Sequence, residues 1–328
     1  MTIDAAGEAV LQRPIALSDY QELLSRDDVD AVYIALPTAI RKPWVLAAAA
    51  AGKHIVSEKP IAVHGDDADE MAQACREAGV GFMDGVMLEH GARLPALRRT
   101  LADPECVGTL RRVQSHFSFY GGDEFNRTNI RAQADYEPHG CLGDLGWYCI
   151  RISLWAADRR LPTRVSGRSL WQLDGGRVPG EFQGELDFGD GLSAGFFCSF
   201  RGANQQDVTF TGERGYVTVD DFVLPFVGAE SQWQQHNHDL RVDNCRWNYG
   251  RHTIGHAVWE HASGEPESQE VRMFRTFADH VLDSFTDSAK DAWSDTIDVT
   301  LKTQRILDAL RASDVQDGAW VCLQQTPE

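Results

Sequence analysis

The stretch from residue 31 to residue 60 constrains the fold of this chain more than any other. Residues 31–36 form a short apolar run with β-branched and aromatic members, which is typical of a strand buried on both faces. The alanine-rich residues 44–51 favour a helix with Gly52 at its C-terminal cap. Residues 53–56 then predict a second, parallel strand that delivers Glu58 to the carboxyl end of the sheet. Open α/β sheets bind ligands at that end.

A different pattern begins near residue 109. Alternation of apolar and polar residues predicts strands, which we expect at residues 110–120, 182–188, 192–200, 208–211 and 216–219. The turn Gly189-Asp190-Gly191 between two of these runs predicts a hairpin. Strands that follow one another in this way favour an antiparallel sheet in an α+β domain.

Helices and irregular segments complete the second half. Helical spacing predicts helices at residues 141–156, 271–285 and 297–310. Residues 231–268 are rich in Trp, His, Gln and Asn, and we expect them to be irregular. The predicted fold is a Rossmann-like α/β half over residues 1–112, followed by an α+β domain with a large open antiparallel sheet over residues 113–328.

Composition excludes several classes of partner. The net charge of −18 argues against nucleic acid and against anionic membrane surfaces, because both are bound by clustered Lys and Arg. No apolar run approaches the roughly 18 residues that a membrane helix needs. The seven cysteines have no C-x-x-C spacing, so free thiols in the cytoplasm are expected.

Two motifs resemble one known family. The phrases AVYIALPT and HIVSEKPIAV, which end in the loop Glu58-Lys59-Pro60, resemble the Gfo/Idh/MocA oxidoreductases, the relatives of glucose–fructose oxidoreductase and inositol dehydrogenase. The phrase GCLGDLGWY at residues 140–148 resembles that family's helix with an Asp and, four residues on, a Tyr or His. FMDGVM, GWYCIR and DFVLPF are similar to a plant and bacterial subgroup. The resemblance extends from about Leu17 onward.

The resemblance implies a catalytic set of Lys59, Asp144 and Tyr148. A cationic amine beside a hydroxyl or ketone polarises its oxygen, and a phenol near that cation passes a proton. Asp144 and Tyr148 share one face of the predicted helix, so the carboxylate would orient Lys59 or the substrate. The alternative is a surface lysine, an Asp favoured by the helix dipole and a packed Tyr.

The resemblance also implies contacts to a nicotinamide cofactor and to a substrate. Cofactor contacts are expected from Leu36, Pro37, Thr38, Arg41, Glu58, Lys59 and Pro60. Thr38 and Arg41 stand where the family commonly has Asn and His, and Arg41 changes both charge and size. Substrate contacts are expected from Asn129, Arg131 and His139, each of which is otherwise an ordinary loop residue. In the family the bond before Pro60 is often cis.

No metal site is expected. The later histidines match neither H-E-x-x-H nor zinc-finger spacing: His236, His238, His252, His256 and His261.

The family's first βαβ unit has no counterpart near the start of this sequence. That unit holds the glycine-rich turn whose backbone N–H groups bind the pyrophosphate, and no G-x-G-x-x-G precedes Leu17. We therefore expect an incomplete Rossmann-like half that binds NAD or NADP weakly or not at all. Three explanations stay open: an N-terminally truncated sequence, partial replacement by the residues before Leu17, and a second chain that covers the exposed strand edge.

The predicted function is NAD(P)-dependent hydride transfer on a hydroxyl or ketone of a sugar, polyol or diol. The alternative is an inactive paralogue that binds or assembles without catalysis. The expected partners are a small-molecule substrate and further copies of the chain. Apolar side chains on both faces of residues 192–200 predict association through the C-terminal sheet.

Overall fold

The computed structural model describes residues 2–3, 9–10, 14–283 and 292–323. The last two residues of the predicted helix 271–285 lie outside these ranges. The first part of the chain contains the following elements: β1 (Thr2–Ile3), β2 (Ala9–Val10), α1 (Tyr20–Leu24), β3 (Ala31–Ile34), α2 (Thr38–Ala50), β4 (His54–Ser57), α3 (Gly65–Ala78), β5 (Phe82–Asp84) and α4 (Arg93–Ala102).

Strands β3, β4 and β5 form a parallel sheet in that order. All four residues of β4 are buried, as expected for a central strand. In β3, however, only Val32 and Ile34 are buried, while Tyr33 is 49% exposed. The prediction that β3 is buried on both faces is therefore wrong. The face that carries Tyr33 is turned toward a cavity.

The second part of the chain contains these elements: β6 (Leu110–Tyr120), α5 (Gly122–Thr128), a π-turn (Leu142–Gly146), α6 (Trp147–Ala156), β7 (Arg164–Leu173), β8 (Val178–Asp187), β9 (Ser193–Ser199), β10 (Arg201–Gly212), β11 (Gly215–Val219), β12 (Glu230–Asp243), β13 (Arg246–Trp259), α7 (Gln269–Asp283), α8 (Ala292–Val315) and β14 (Val321–Cys322). No helix in the described ranges is both long and apolar enough to cross a bilayer.

Nine of these strands form one large sheet in the order β13-β12-β11-β10-β6-β9-β8-β7-β14. Neighbours are antiparallel except for β6 and β9, which run parallel. The turn at Gly189-Asp190-Gly191 joins β8 to β9 in a hairpin, as predicted. The α/β plus α+β fold class is confirmed, with a mixed rather than purely antiparallel second sheet.

The outer face of strand β9 in this sheet is less apolar than expected. In β9 the buried side toward the helices carries Ala194, Phe196 and Cys198, whereas the outer side carries two serines, Gly195 and Phe197. Only Phe197 gives the outer side of β9 a large apolar side chain. The reason given above for association through this strand is therefore wrong.

The helices α7 and α8 return to the first sheet. Met273 and Phe277 of α7 pack against Val56 of β4 and Met83 of β5. Asp308 of α8 accepts a hydrogen bond from the backbone N–H at the start of α3, at 2.6 Å. The large sheet begins at β6, close to the expected boundary at residue 112. The C-terminal helices nevertheless cover a face of the N-terminal sheet, so they help to position its carboxyl edge.

The expectation of an irregular segment is wrong for residues 231–259, because β12 and β13 form a long antiparallel hairpin closed by Asn244 at φ +52°. Residues 260–268 form turns without a regular element, as expected. Strand alternation is hidden in this segment because polar side chains occupy most exposed positions on both strands.

Candidate active site

The loop after β4 carries the Glu58-Lys59-Pro60 motif to the edge of the parallel sheet. Its backbone is tied to β3, since the Glu58 N–H donates to the Ile34 carbonyl at 3.0 Å. The Lys59–Pro60 bond is cis. The motif therefore sits at the carboxyl edge, where sheets of this type bind ligands.

Lys59 reaches the second part of the chain. Its Nζ lies 2.8 Å from Asp144 Oδ1 and also donates to the Asp144 backbone carbonyl. The same nitrogen lies 4.6 Å from the centroid of the Tyr148 ring. The structure thus brings the three residues proposed for catalysis together. No hydrogen bond joins the Tyr148 hydroxyl to another described residue.

A π-turn positions Asp144. The segment Leu142–Gly146 is wider than an α-helical turn and continues directly into α6, which carries Tyr148. π-turns within helices are frequent at functional sites. A Cβ at Gly143 would lie 3.1 Å from Pro60 Cγ and 2.8 Å from His139 Cβ. The absence of a side chain at Gly143 allows the turn to approach the Pro60 loop.

The electrostatics define the charge of each group. Burial lowers the pKa of the Lys59 ammonium, but Asp144 and Tyr148 offset this, and the pKa lies above its ordinary value. Burial raises the pKa of the Asp144 carboxyl, yet Lys59 and Arg131 hold it below its usual range. Burial raises the pKa of the Tyr148 phenol, although Lys59 opposes that effect. At neutral pH the site holds an ammonium, a carboxylate and a neutral phenol.

Two further charged groups line the same space. Arg131 Nε lies 3.1 Å from Asp144 Oδ2, so the carboxylate is shared between two cations. The Tyr33 hydroxyl donates to Glu58 Oε1. Burial raises the pKa of Tyr33 and the Glu58 hydrogen bond adds to that effect, so the phenol remains a donor at neutral pH.

A cavity of about 570 Å³ joins these groups. Its polar lining comprises Tyr33, Glu58, Lys59, Arg131, Asp144, Tyr148, Asn204 and Glu270. Its apolar lining comprises Met87, Phe117, Phe119, Phe125, Leu145, Val223, Leu224, Met273 and Phe274. The cavity therefore has one ionised end and one extensive apolar wall.

An adjoining cavity of about 270 Å³ lies along the loops after β3 and β4. It shares Tyr33, Glu58, Lys59, Arg131 and Asp144 with the larger cavity, and it adds Ala35, Leu36, Pro37, Arg41, Pro60, Ile130, Glu137 and Gly140. Six of the seven positions expected to contact the cofactor are therefore in this wall. Among them, Arg41 is almost fully buried and donates to three carbonyl oxygens, those of Leu36, Glu58 and Pro60.

Three expected site residues are not in either wall. The Thr38 hydroxyl donates to Glu137 Oε2 at 2.6 Å, which fixes the start of α2. Asn129 is half-buried, and its side chain accepts a hydrogen bond from the Arg131 backbone N–H at 3.0 Å. His139 donates to the Val63 carbonyl at 2.8 Å, and burial lowers its pKa to about 4. Thr38 thus binds another side chain, and Asn129 and His139 bind backbone groups, while their assignment to cofactor and substrate contacts stays a prediction.

Sequence reasoning missed the contribution of α7 and of the phenylalanines. Glu270 lines the larger cavity, and its Oε2 is buried without a hydrogen-bond partner. The helical periodicity of α7 was visible, but it does not reveal which sheet the helix covers. Phe117 and Phe119 lie on β6, where alternation alone indicated a core position. Within the described ranges, no group of three or more His, Cys, Asp or Glu side chains could hold a metal ion.

Comparison with known proteins agrees with this geometry. Residues 4–86 match the family model of the Gfo/Idh/MocA oxidoreductases with an NAD-binding Rossmann fold. Residues 97–218 match the model of the Gfo/Idh/MocA C-terminal domain. The first match includes Lys59, and the second includes Asp144 and Tyr148.

Curated relatives are similar over part of their length. A dTDP-3,4-didehydro-2,6-dideoxy-α-D-glucose 3-reductase of Streptomyces violaceoruber is 30% identical over 220 residues, or 65% of this chain and 60% of that protein. A trans-1,2-dihydrobenzene-1,2-diol dehydrogenase of Sus scrofa is 28% identical over 209 residues, which are 63% of this chain and 60% of that protein. The match thus spans about 60% of the length of these relatives.

Solved structures share the fold. A 3-ketoreductase from Actinomadura kijaniata, in complex with NADP and TDP-benzene, superposes with a TM-score of 0.72 at 24% identity, covering 90% of this chain and 82% of that one. An aldose–aldose oxidoreductase from Caulobacter crescentus superposes with a TM-score of 0.72 at 21% identity, covering 93% of this chain and 82% of that one. With both domain models matched in order, the chain belongs to the Gfo/Idh/MocA family of oxidoreductases.

Proposed function

We propose that this chain is an NAD(P)-dependent oxidoreductase that transfers hydride to or from a carbon bearing a ketone or hydroxyl, on a sugar, polyol or diol. The observation that carries the proposal is the meeting of Lys59, Asp144 and Tyr148 on one cavity, with Lys59 Nζ 2.8 Å from Asp144 and 4.6 Å from the Tyr148 ring. That arrangement supplies a cation and a proton donor at one point.

The three side chains have separate roles. Lys59 donates a hydrogen bond to the reacting oxygen and stabilises negative charge that develops there. Tyr148, a neutral phenol at pH 7, gives its proton to that oxygen in ketone reduction and takes it back in alcohol oxidation. Asp144 is a positioning residue, because it holds the Lys59 ammonium and the Arg131 guanidinium in place.

The cavity of about 270 Å³ suits the nicotinamide end of a dinucleotide. Leu36, Pro37 and Pro60 would contact the ring and its ribose, and Glu58 offers an acceptor for hydroxyls. When bound, the nicotinamide accepts or supplies the hydride. Arg41 supports these loops from behind, since its guanidinium already binds three carbonyl groups. The described residues include no glycine-rich turn for the pyrophosphate, so we expect weak dinucleotide affinity.

The apolar wall of the larger cavity limits the range of substrates that fit. A ring carrying many hydroxyls would leave some of them against Phe117, Phe119 and Phe125 without hydrogen bonds, which costs free energy for each buried hydroxyl. A ring with a vicinal diol or hydroxy-ketone on one side and few hydroxyls on the other fits both ends of the cavity. We therefore propose hydroxyl-poor cyclic diols and deoxysugars as better substrates than inositols.

We also propose a cytoplasmic location and self-association. The cysteines are all free, and five of the seven are buried, which fits a reducing compartment. Self-association fits the large apolar side chains that the β12–β13 hairpin exposes, those of Leu240, Val242, Trp247 and Tyr249.

The proposal is tested by following nicotinamide absorbance with purified protein at millimolar NADH or NADPH. Cyclohexane-1,2-dione and a hydroxyl-rich inosose are compared as ketone substrates. We expect turnover that Tyr148→Phe reduces at least about 100-fold, with the dione preferred. The matched control is Tyr120→Phe, since Tyr120 is 73% exposed and outside both cavities. Substrate binding without turnover at saturating dinucleotide would support the non-catalytic alternative.

A further inference from the structure

Glu270 of α7 brings an unpaired carboxylate to the larger cavity. Its Oε2 is buried without a hydrogen-bond partner, and no ion pair with another described residue involves either of its oxygens. The preceding Gln269 donates through Nε2 to the Val223 carbonyl at 2.6 Å, which fixes the first turn of α7 against a loop of the same cavity wall. The terminal torsion of a Glu side chain is broad, so either oxygen can turn toward a donor in a bound ligand.

The charges that line the cavity leave this carboxylate without a counterion. Lys59 and Arg131 are the cations of the lining, and both bind Asp144. Glu58 accepts a hydrogen bond from a neighbouring phenol. Two cations and three carboxylates give the lining a formal charge of −1. A cation in the ligand would balance this charge, whereas an anion would be repelled.

Aromatic rings accompany Glu270 in the cavity wall. Phe274 lies one helical turn further along α7 and so shares a face with Glu270. Its ring packs edge-on against that of Tyr33, with ring centroids 5.6 Å apart. Phe119 and Phe125 add two more rings, 5.3 Å apart. A protonated amine is attracted to aromatic faces, where a hydroxyl would lose its hydrogen bonds. Rings beside a carboxylate therefore favour an organic ammonium group.

We propose that Glu270 and the rings beside it form a subsite for a protonated amine of the substrate. The inference rests on the oxidoreductase function proposed above, and it narrows the substrate to cyclic alcohols and ketones that carry an amine, the class that includes amino-deoxy sugars. Such a substrate binds in one orientation, because Lys59 and Arg131 repel the ammonium that Glu270 attracts. The carbonyl or hydroxyl is then directed to Lys59 and Tyr148.

The first test compares two ketones that differ chiefly in charge. Reduction of 4-aminocyclohexanone, an ammonium ion at neutral pH, and of neutral 4-hydroxycyclohexanone is measured at saturating NADPH or NADH. The native chain should favour the ammonium ketone in kcat/KM by about 10- to 100-fold. Glu270→Gln keeps the shape of the side chain and removes its charge, so it should abolish this preference while reduction of the hydroxy ketone continues. The matched control is Asp279→Asn, which removes an exposed carboxylate from the same helix and should keep the native preference.

The second test measures binding without turnover. Calorimetry with cyclohexylammonium chloride should give a dissociation constant at least about tenfold lower for the native chain than for Glu270→Gln, and Asp279→Asn should match the native chain. Ammonium binding of this kind without reduction of any ketone would contradict the proposed oxidoreductase function but support the subsite.

Three results would overturn the subsite while the oxidoreductase function stands. The first is equal kcat/KM of the native chain for the two ketones. The second is cyclohexylammonium binding that Glu270→Gln does not weaken. The third is a Glu270→Gln variant that raises the KM for the dinucleotide equally with both ketones, because the carboxylate would then bind the nicotinamide carboxamide.

Discussion

Replacement of Lys59 by Met tests the proposed chemistry at a single atom. Lys59 Nζ lies 4.6 Å from the Tyr148 ring, and the Lys59 side chain is only 10% exposed. Taking the ring centroid as the place of phenolate charge and an effective dielectric constant of about 20, the ammonium stabilises the phenolate by about 3–4 kcal/mol. That energy corresponds to roughly 100- to 1,000-fold in rate. Lys59→Met should lower kcat/KM for alcohol oxidation by this factor.

Stability should change much less than activity. Arg131 lies 3.1 Å from the Asp144 carboxylate and continues to compensate its charge when Lys59 is replaced. We therefore expect a loss of only about 1–3 kcal/mol in unfolding free energy, below the ~3–5 kcal/mol for an unpaired buried charge. Steady-state kinetics and urea unfolding measure the two quantities on one preparation. Lys42→Met, at a partly exposed lysine paired with Asp67, is the control.

The reasoning is refuted if folded Lys59→Met retains more than about a third of native kcat/KM in both directions. In that case the cation would have no part in stabilising charge on the phenol or on the substrate oxygen.

Three further predictions address pH, stability and backbone position. Because burial raises the pKa of Tyr148, ketone reduction should stay constant from pH 6 to about 10 while alcohol oxidation rises with pH; a reduction rate that falls through pH 7 would contradict this. Arg151→Met leaves the buried Asp84 without a cationic partner, with only a long hydrogen bond from the Trp147 indole N–H, and should cost about 3–5 kcal/mol in urea unfolding; a loss under about 1 kcal/mol would show the ion pair to be dispensable. Gly143→Ala should lower kcat about 10- to 100-fold, since its Cβ would lie 3.1 Å from Pro60 Cγ, whereas Gly255→Ala meets no atom within 4 Å and should be neutral.

The part of the site that is local in sequence could be predicted. Glu58-Lys59-Pro60 follows a buried strand, and the parallel order of β3 and β4 puts that loop at the carboxyl edge. The spacing of Asp144 and Tyr148 placed both on one segment, although the π-turn within it has no signal in hydrophobic periodicity. Short-range patterns thus indicated the catalytic set proposed here.

The part of the site that depends on long-range packing could not be predicted. Helical periodicity indicated α7 but not that Met273 packs on β4 and β5, which brings Glu270 into the cavity. Thr38, at the start of α2, and His139, in the loop before the π-turn, were expected near the ligand, yet their side chains are bound to Glu137 and to the Val63 carbonyl. Loop position alone does not determine where a side chain points.

The β12–β13 hairpin shows a different limit. Its polar face carries mixed charges, and its apolar face is exposed within a single chain, so composition resembled that of an irregular segment. That Leu240 and Val242 share one face with Tyr249 and Trp247 can be recognised only once the strand register is known.

Isotope transfer decides whether this chain moves hydride between nicotinamide and substrate. NADPH or NADH deuterated at C4 of the nicotinamide is incubated with the protein and cyclohexane-1,2-dione, and the product is analysed by mass spectrometry and proton NMR. We expect one deuterium on the new carbinol carbon, transferred from one face of the nicotinamide only. The Tyr148→Phe variant should give less than about a hundredth of the native yield of deuterated product. A carbinol carbon that carries only solvent hydrogen, or no alcohol product at saturating dinucleotide, would contradict this expectation.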